Sequence, residues 1–216
     1  MPEKTTDNEP VSDYVQARRL GVPFRNGDGA LEYPTMRSRP QPDFTLDQFH
    51  RLLLIGSLTI AVLYTVWMVA RIPSMPDQVP MHFAADGSVN RYGSPWEILG
   101  MAAVMLAAII GCAVLTRFPR TYNYGLGKVT EDNIQAHYKN GVQMMIWTVA
   151  TVTLIYLIAL GGIAGDWPIS PWVWVGLAAM LASQGSSSTG CPNSEPITPA
   201  PREPATTAQS QVPVQS

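Results

Sequence analysis

Hydrophobic and polar positions fall in long blocks along this chain, with few short alternations. A proline-dotted polar segment gives way at Leu52 to LLLIGSLTIAVLYTVWMVA, nineteen residues without a charge, bracketed by Arg51 and Arg71. A second run of nineteen uncharged residues, 98–116, lies between Glu97 and Arg117. At about 1.5 Å per helical residue, either run reaches close to the roughly 30 Å of a hydrocarbon core. A third block starts amphipathic, NIQAHYKNGVQ, and is wholly apolar over 144–164; a fourth, 169–182, has only fourteen residues. That last one falls short of the roughly seventeen that cross unaided, so it either thins the bilayer locally or lies re-entrant. The pattern predicts an all-α integral membrane protein: a bundle of four transmembrane helices, or three plus a re-entrant segment, with disordered cytoplasmic tails. The spans are placed at about 50–71, 96–117, 142–164 and 168–183 of a membrane domain covering 44–183. An outer loop at 72–95 and a cytoplasmic loop at 118–141 join them.

Local signals mark the helix ends. Thr45 followed by Gln48 fits a capping box, with Phe44 and Phe49 placed for a hydrophobic staple. Ser94, Pro95 and Glu97 fit a second box, proline taking the first helical position where no amide partner is needed. Thr130 is placed to cap the third helix, with Glu131 and Asp132 in the first turn where the helix dipole favours anions. Gly100, Ala103, Ala107 and Gly111 recur at three- and four-residue spacing and predict close helix packing in lipid. Trp67, Trp172 and Trp174 suit interfacial belts.

Charge fixes the expected orientation. Arg37, Arg39 and Arg51 precede the first span, and Arg117, Arg120, Lys128 and Lys139 lie between the second and third. The first loop holds only Arg71 and Arg91. The positive-inside rule then puts both termini in the cytoplasm of a cell with this protein in its plasma membrane, and 72–95 outside. The first span begins after a polar lead too long for a signal peptide and is expected to stay as an uncleaved anchor. Residues 1–43 carry Pro2, Pro10, Pro23, Pro34, Pro40 and Pro42 among charges of both signs and read as a disordered tail, with a transient helix over Val11 to Leu20. Residues 184–216, rich in Ser, Pro, Thr and Gln, read likewise. Charged residues are 14% of the chain against roughly 25% in soluble proteins, and the net charge of −2 gives no nucleic-acid footprint. Cys112 sits in an apolar run and Cys191 in a polar tail, environments that do not suggest a disulfide.

Candidate chemistry is confined to the polar insert MPDQVPMHFAADGSVNRYGSP. Asp86-Gly87 predicts a turn between two extended pieces, Val79 to Ala84 and Val89 to Tyr92, while Pro76 and Pro80 stiffen the loop. His82 is the residue with catalytic or metal-ligating chemistry, with Asp86 or Asp77 as partner. Metal sites want three or four ligands, and His50 and His137 fall on the other side of the membrane. Ser88 and Ser94 have no base and orienter around them. His82 is therefore read as a structural residue, bonding loop carbonyls and packing beside Phe83 and Tyr92. No catalytic, cofactor-binding or metal residues are assigned, and no enzymatic activity is expected. The absence of charge within 52–70, 98–116 and 141–164 argues against a pump or coupled transporter.

The order Met75-Pro76, Val79-Pro80, His82-Phe83, Gly87, Asn90, Tyr92-Gly93 resembles the bacterial membrane domain of unknown function 1648, as in the sporulation-delay immunity protein family. Tyr122-Asn123-Tyr124, Thr130, Asn133 and Tyr138 resemble its cytoplasmic loop and third helix, so that the likeness covers about 52–160. The pattern departs at Met75, where Leu is usual, at Ala84, where Asn or Asp is common, and at Pro95, where Lys is common. The resemblance implies that Pro76, Pro80, His82, Phe83, Gly87, Asn90, Tyr92 and Gly93 form the loop's motif. It also implies an immunity or signalling role, in which the outer loop recognises a secreted peptide or a membrane partner protein. The alternative is a small-solute permease or an accessory subunit of a membrane complex, in which the helix bundle is the working part.

Overall fold

Three stripes of buried side chains build the molecule. The computed structural model describes residues 10–84, 86–124, 128–165, 174–176 and 178. Helix α1 covers Tyr14–Leu20, strands β1 and β2 cover Phe24–Arg25 and Leu31–Glu32, and the long helix α2 covers Gln48–Arg71. Strands β3 (Val79–Phe83) and β4 (Val89–Gly93) precede helices α3 (Ile98–Leu115) and α4 (Ile134–Ile163). Helix α2 buries Ser57, Ala61 and Met68, α3 buries Ile98, Ala102 and Ile109, and α4 buries Val142, Ile146, Val149, Tyr156 and Leu160. The three- and four-residue spacing of each set puts it on one face, and α4 uses its face to pack against both α2 and α3. Thr65 and Tyr156 share a hydrogen bond of 2.7 Å across the α2–α4 seam. Thr65, Thr148 and Thr151 also donate to carbonyls one turn earlier. Among the described residues these are three helices long and apolar enough to cross a membrane. Helix α4 has 30 residues, about 45 Å at 1.5 Å each, so its first turns extend past a bilayer core.

Several expectations are corrected. The small-residue stripe is not the packing face of α3: Gly100, Ala103, Ala107 and Gly111 are all exposed, and a Cβ at Gly100 or Gly111 would meet nothing. Gly100 lies two positions after Ile98, a turn of about 200°, so the bulkier Ile98–Ile109 set took the inward face. Helix α2 is capped by Asp47 and not by Thr45: the Asp47 carboxylate accepts from the His50 amide at 3.1 Å, and that bond is the main cause holding its pKa down to about 2. A carboxylate gains from the helix dipole where a hydroxyl does not. The Phe49 ring faces Trp147 at 6.0 Å. Thr130 does not cap α4 with its hydroxyl; its amide donates to Asn133 Oδ1 at 2.9 Å, and Asn133 holds the cap position. The box at Ser94 does form, Glu97 Oε1 accepting from the Ser94 amide at 3.2 Å.

The largest correction concerns the N-terminal segment. Residues 10–43, expected to be disordered, are folded into a collar docked on the loop after α3 and the start of α4. Arg39 Nη1 donates to the carbonyls of Arg120 and Tyr122, both at 2.7 Å, and its guanidinium lies 5.1 Å from the Tyr124 ring centroid. The Tyr138 hydroxyl donates to the Pro40 carbonyl at 2.9 Å, and Gln135 donates to the Gln41 carbonyl at 3.0 Å. Glu32 is buried, pairs with Lys128 at 2.9 Å and bridges to Thr130. Burial pushes the Tyr122 phenol up to about 12, so it stays a neutral donor to the Leu115 carbonyl. The carbonyls of Arg37, Pro40 and Gln41 take their donors from outside the segment, from Arg120 in the loop after α3 and from Tyr138 and Gln135 at the start of α4. The fourth expected span, 168–183, lies outside the described residues except at 174–176 and 178, where Gly176 is buried close to Ile155. Residues 1–9 and the tail 184–216 lie outside them too.

Candidate functional site

The polar insert folds as a hairpin at the other end of the bundle. Strands β3 and β4 pair antiparallel with Val79 opposite Gly93, Pro80 opposite Tyr92, His82 opposite Arg91 and Phe83 opposite Val89, with irregular register between. The extended pieces and the Asp86-Gly87 turn stand where the sequence put them. Gly87 has φ 85°, the left-handed region that glycine enters without a Cβ penalty. Asp86 Oδ1 accepts from the Ser88 hydroxyl at 2.7 Å and the Ser88 amide at 2.9 Å, closing an Asx turn. The hydroxyl, then the amide, hold the Asp86 carboxyl below its usual range.

Strand period separates the hairpin's two faces. Val79, Met81 and Phe83 face the bundle and join the core that contains Ile98 and Ile163, together with Met75. His82, Asn90, Arg91 and Tyr92 are exposed. The His82 ring bonds the Asn90 side chain through Nδ1, and not a loop carbonyl as expected. It stands on the face opposite Phe83, so the anticipated packing beside Phe83 is not formed. The alternation of Val79, Met81 and Phe83 with Pro80 and His82 is the signal that assigns these faces. Gly93 is required by a close approach: a Cβ there would run into the Glu97 carboxylate and lie 3.0 Å from Met81 Cγ. That same carboxylate caps Ser94 and pairs with Arg91 at 2.9 Å, tying β4 to the start of α3. The pairing of Arg91 with Glu97 went unnoticed in the sequence because it needs the strand-to-helix corner to bring them together. Pro76 is exposed ahead of β3.

Chemically, the hairpin exposes imidazole, amide and phenol groups at His82, Asn90 and Tyr92, while the Arg91 guanidinium is turned to Glu97. Asp86 is bonded to Ser88 and His82 to Asn90, so the structure does not join His82 and Asp86 by a hydrogen bond. Among the described residues no three His, Cys, Asp or Glu side chains gather in a way that could hold a metal ion.

Three apolar helices of membrane-crossing length, two of them joined by an ordered hairpin, define a helical membrane protein. Residues 59–106 match the family model described as Domain of unknown function (DUF1648). The matched stretch is the second half of α2, the hairpin and the first half of α3, and it carries all eight motif residues; Tyr122 to Tyr138 lie beyond it. No curated protein and no solved structure matches the chain.

Proposed function

We propose that the hairpin is a recognition element. In this reading the protein sits in the bacterial plasma membrane with both termini in the cytoplasm and the hairpin outside. It acts without enzymatic chemistry in immunity or signalling, by binding a secreted peptide or a membrane partner. One observation carries the reading. The hairpin is fixed at its turn, its corner and its inner face, yet the side carrying His82, Asn90 and Tyr92 is covered by nothing among the described residues. A surface already ordered before it meets a partner loses little conformational freedom on binding.

The test is the H82A/N90A/Y92A triple variant in cells, assayed for sensitivity to secreted peptides and envelope stress. None of the three side chains is in the core, so the variant is expected to reach the membrane at normal levels and to behave as the deletion strain does. A triple variant that behaves as wild type, while deletion gives a phenotype, refutes recognition by this face.

A further inference from the structure

Two adjoining clefts of about 420 and 480 Å³ open at the collar end, sharing Pro42, Arg117 and Pro119. Both volumes lie within the roughly 300–1,000 Å³ of small-molecule sites. The lining includes four arginines, Arg37, Arg51, Arg117 and Arg120, and no carboxylate. Among the described residues, the Arg37, Arg51 and Arg117 side chains have no ion-pair or hydrogen-bond partner, although all three are exposed. Four like charges lining adjoining clefts whose walls hold no counter-charge repel one another, a cost that an anion in the clefts would lower.

Depth says which anion. Arg51 immediately precedes the uncharged run of α2, and Arg117 immediately follows that of α3, so both mark the plane where the apolar band ends. Beside them on the apolar side, Leu52 and Ile55 of α2, and Val114 and Leu115 at the end of α3, are exposed large hydrophobic residues. A cationic cleft bordered by uncovered apolar helix suits a ligand with a phosphate at one end and hydrocarbon at the other. Guanidinium groups meet phosphate oxygens in paired hydrogen bonds. We propose that the clefts bind the headgroup of an anionic phospholipid, with Arg51 and Arg117 as principal phosphate contacts. The site is separate from the hairpin and stands at headgroup depth in either orientation of the chain.

The test is lipid titration of the full chain in detergent micelles, followed by native mass spectrometry, with phosphatidylglycerol compared against phosphatidylcholine. The wild type is expected to prefer phosphatidylglycerol. The R51Q/R117Q double variant is expected to lose about fivefold of that preference per arginine, roughly 25-fold for the pair. The R18Q/R19Q variant, which removes exposed charge on α1 that lines neither cleft, is expected to keep it. Equal loss in R18Q/R19Q, or an undiminished preference in R51Q/R117Q, overturns the assignment. Should R51Q/R117Q fail to fold, R51K/R117K keeps the charge and loses the paired donors. It is expected to retain part of the preference, and full retention overturns the paired contact. For the wild type alone, the preference is expected to fall steeply between 0.05 and 0.5 M salt, and a preference indifferent to salt also overturns the site. A last arm uses inorganic phosphate without lipid. If phosphate displaces phosphatidylglycerol at equal concentration, the clefts serve a free anion and the lipid reading fails.

Discussion

The hairpin and the collar are both polar segments at the ends of the same helices, but they are held in opposite ways. Side-chain bonds that fix the hairpin join residues eight positions apart or fewer: His82 to Asn90, Arg91 to Glu97, Ser94 to Glu97. Those that dock the collar on the rest of the chain, from Arg39, Tyr138, Gln135 and Lys128, bridge 81 to 98 positions. Short closures cost little chain entropy and form one by one, so the hairpin is a local structure set on an apolar base. These docking bonds depend on one arrangement of the helices, so each is favourable only once the others exist. Damage should therefore stay local in the hairpin and spread in the collar.

Arg39→Ala is the strongest way to break that difference. It removes the donor to two carbonyls and the cation over Tyr124, and is expected to cost about 2–4 kcal/mol. Thermal melting in detergent should fall, and trypsin should cut residues 10–43 far faster than in the wild type. Unchanged protection would mean that the collar is not held by this contact. Gly141→Ala comes next. A Cβ would stand 2.9 Å from Tyr122 Cδ2 and 3.1 Å from Tyr124 Cε1, forcing packed rings apart at an expected cost of about 1–3 kcal/mol. The same protease assay should again report release of the collar, because Tyr124 is the ring on which Arg39 rests.

The range of the bonds also decided what the sequence disclosed. The helices, the hairpin strands, the Asp86-Gly87 turn and the Ser94 box are written in patterns no longer than a turn or a span, and all were legible. The collar was not. Pro23, Pro34, Pro40 and Pro42 read as a chain without a core of its own, and no local pattern shows that Tyr138 and Arg39 will bond its carbonyls or those it lies against. Helix α3 failed for a related reason. Spacing defines a stripe, but which of two stripes faces α4 depends on side-chain volume across the seam. At the candidate site the motif residues were legible as a set, while the division into an inward Met81–Phe83 face and an exposed His82–Tyr92 face needed the strand pairing.

Acid should sharpen the comparison by a smaller amount. The Lys128 ammonium beside Glu32 and the Asn26 amide hold the Glu32 carboxyl below its usual range, against the opposing effect of burial. A carboxyl whose pKa is lower in the folded than in the unfolded chain contributes stability above the unfolded value, about 4.3, and loses it as pH falls through the folded one. Lys128 is largely exposed, so solvent weakens the pair, and the collar should loosen gradually below pH 4. Glu32→Gln is expected to flatten that part of the pH profile in a protease-protection assay. A profile unchanged by Glu32→Gln would assign the acid sensitivity to another group.

The smallest expected effect on stability is the most informative about function. His82→Ala removes an exposed ring whose hydrogen bond among the described residues goes to another exposed side chain, and substitutions of that kind stay within about 0.5 kcal/mol. Melting of the variant in detergent should match the wild type, since Val79, Met81 and Phe83 keep the hairpin seated on the core. Paired with Phe83→Ala, which removes an inward side chain and should lower the melting temperature, it divides the motif into a seating face and a presenting face. If His82→Ala melts as low as Phe83→Ala, His82 belongs to the hairpin's support, and the exposed face loses its best candidate for contact with a partner.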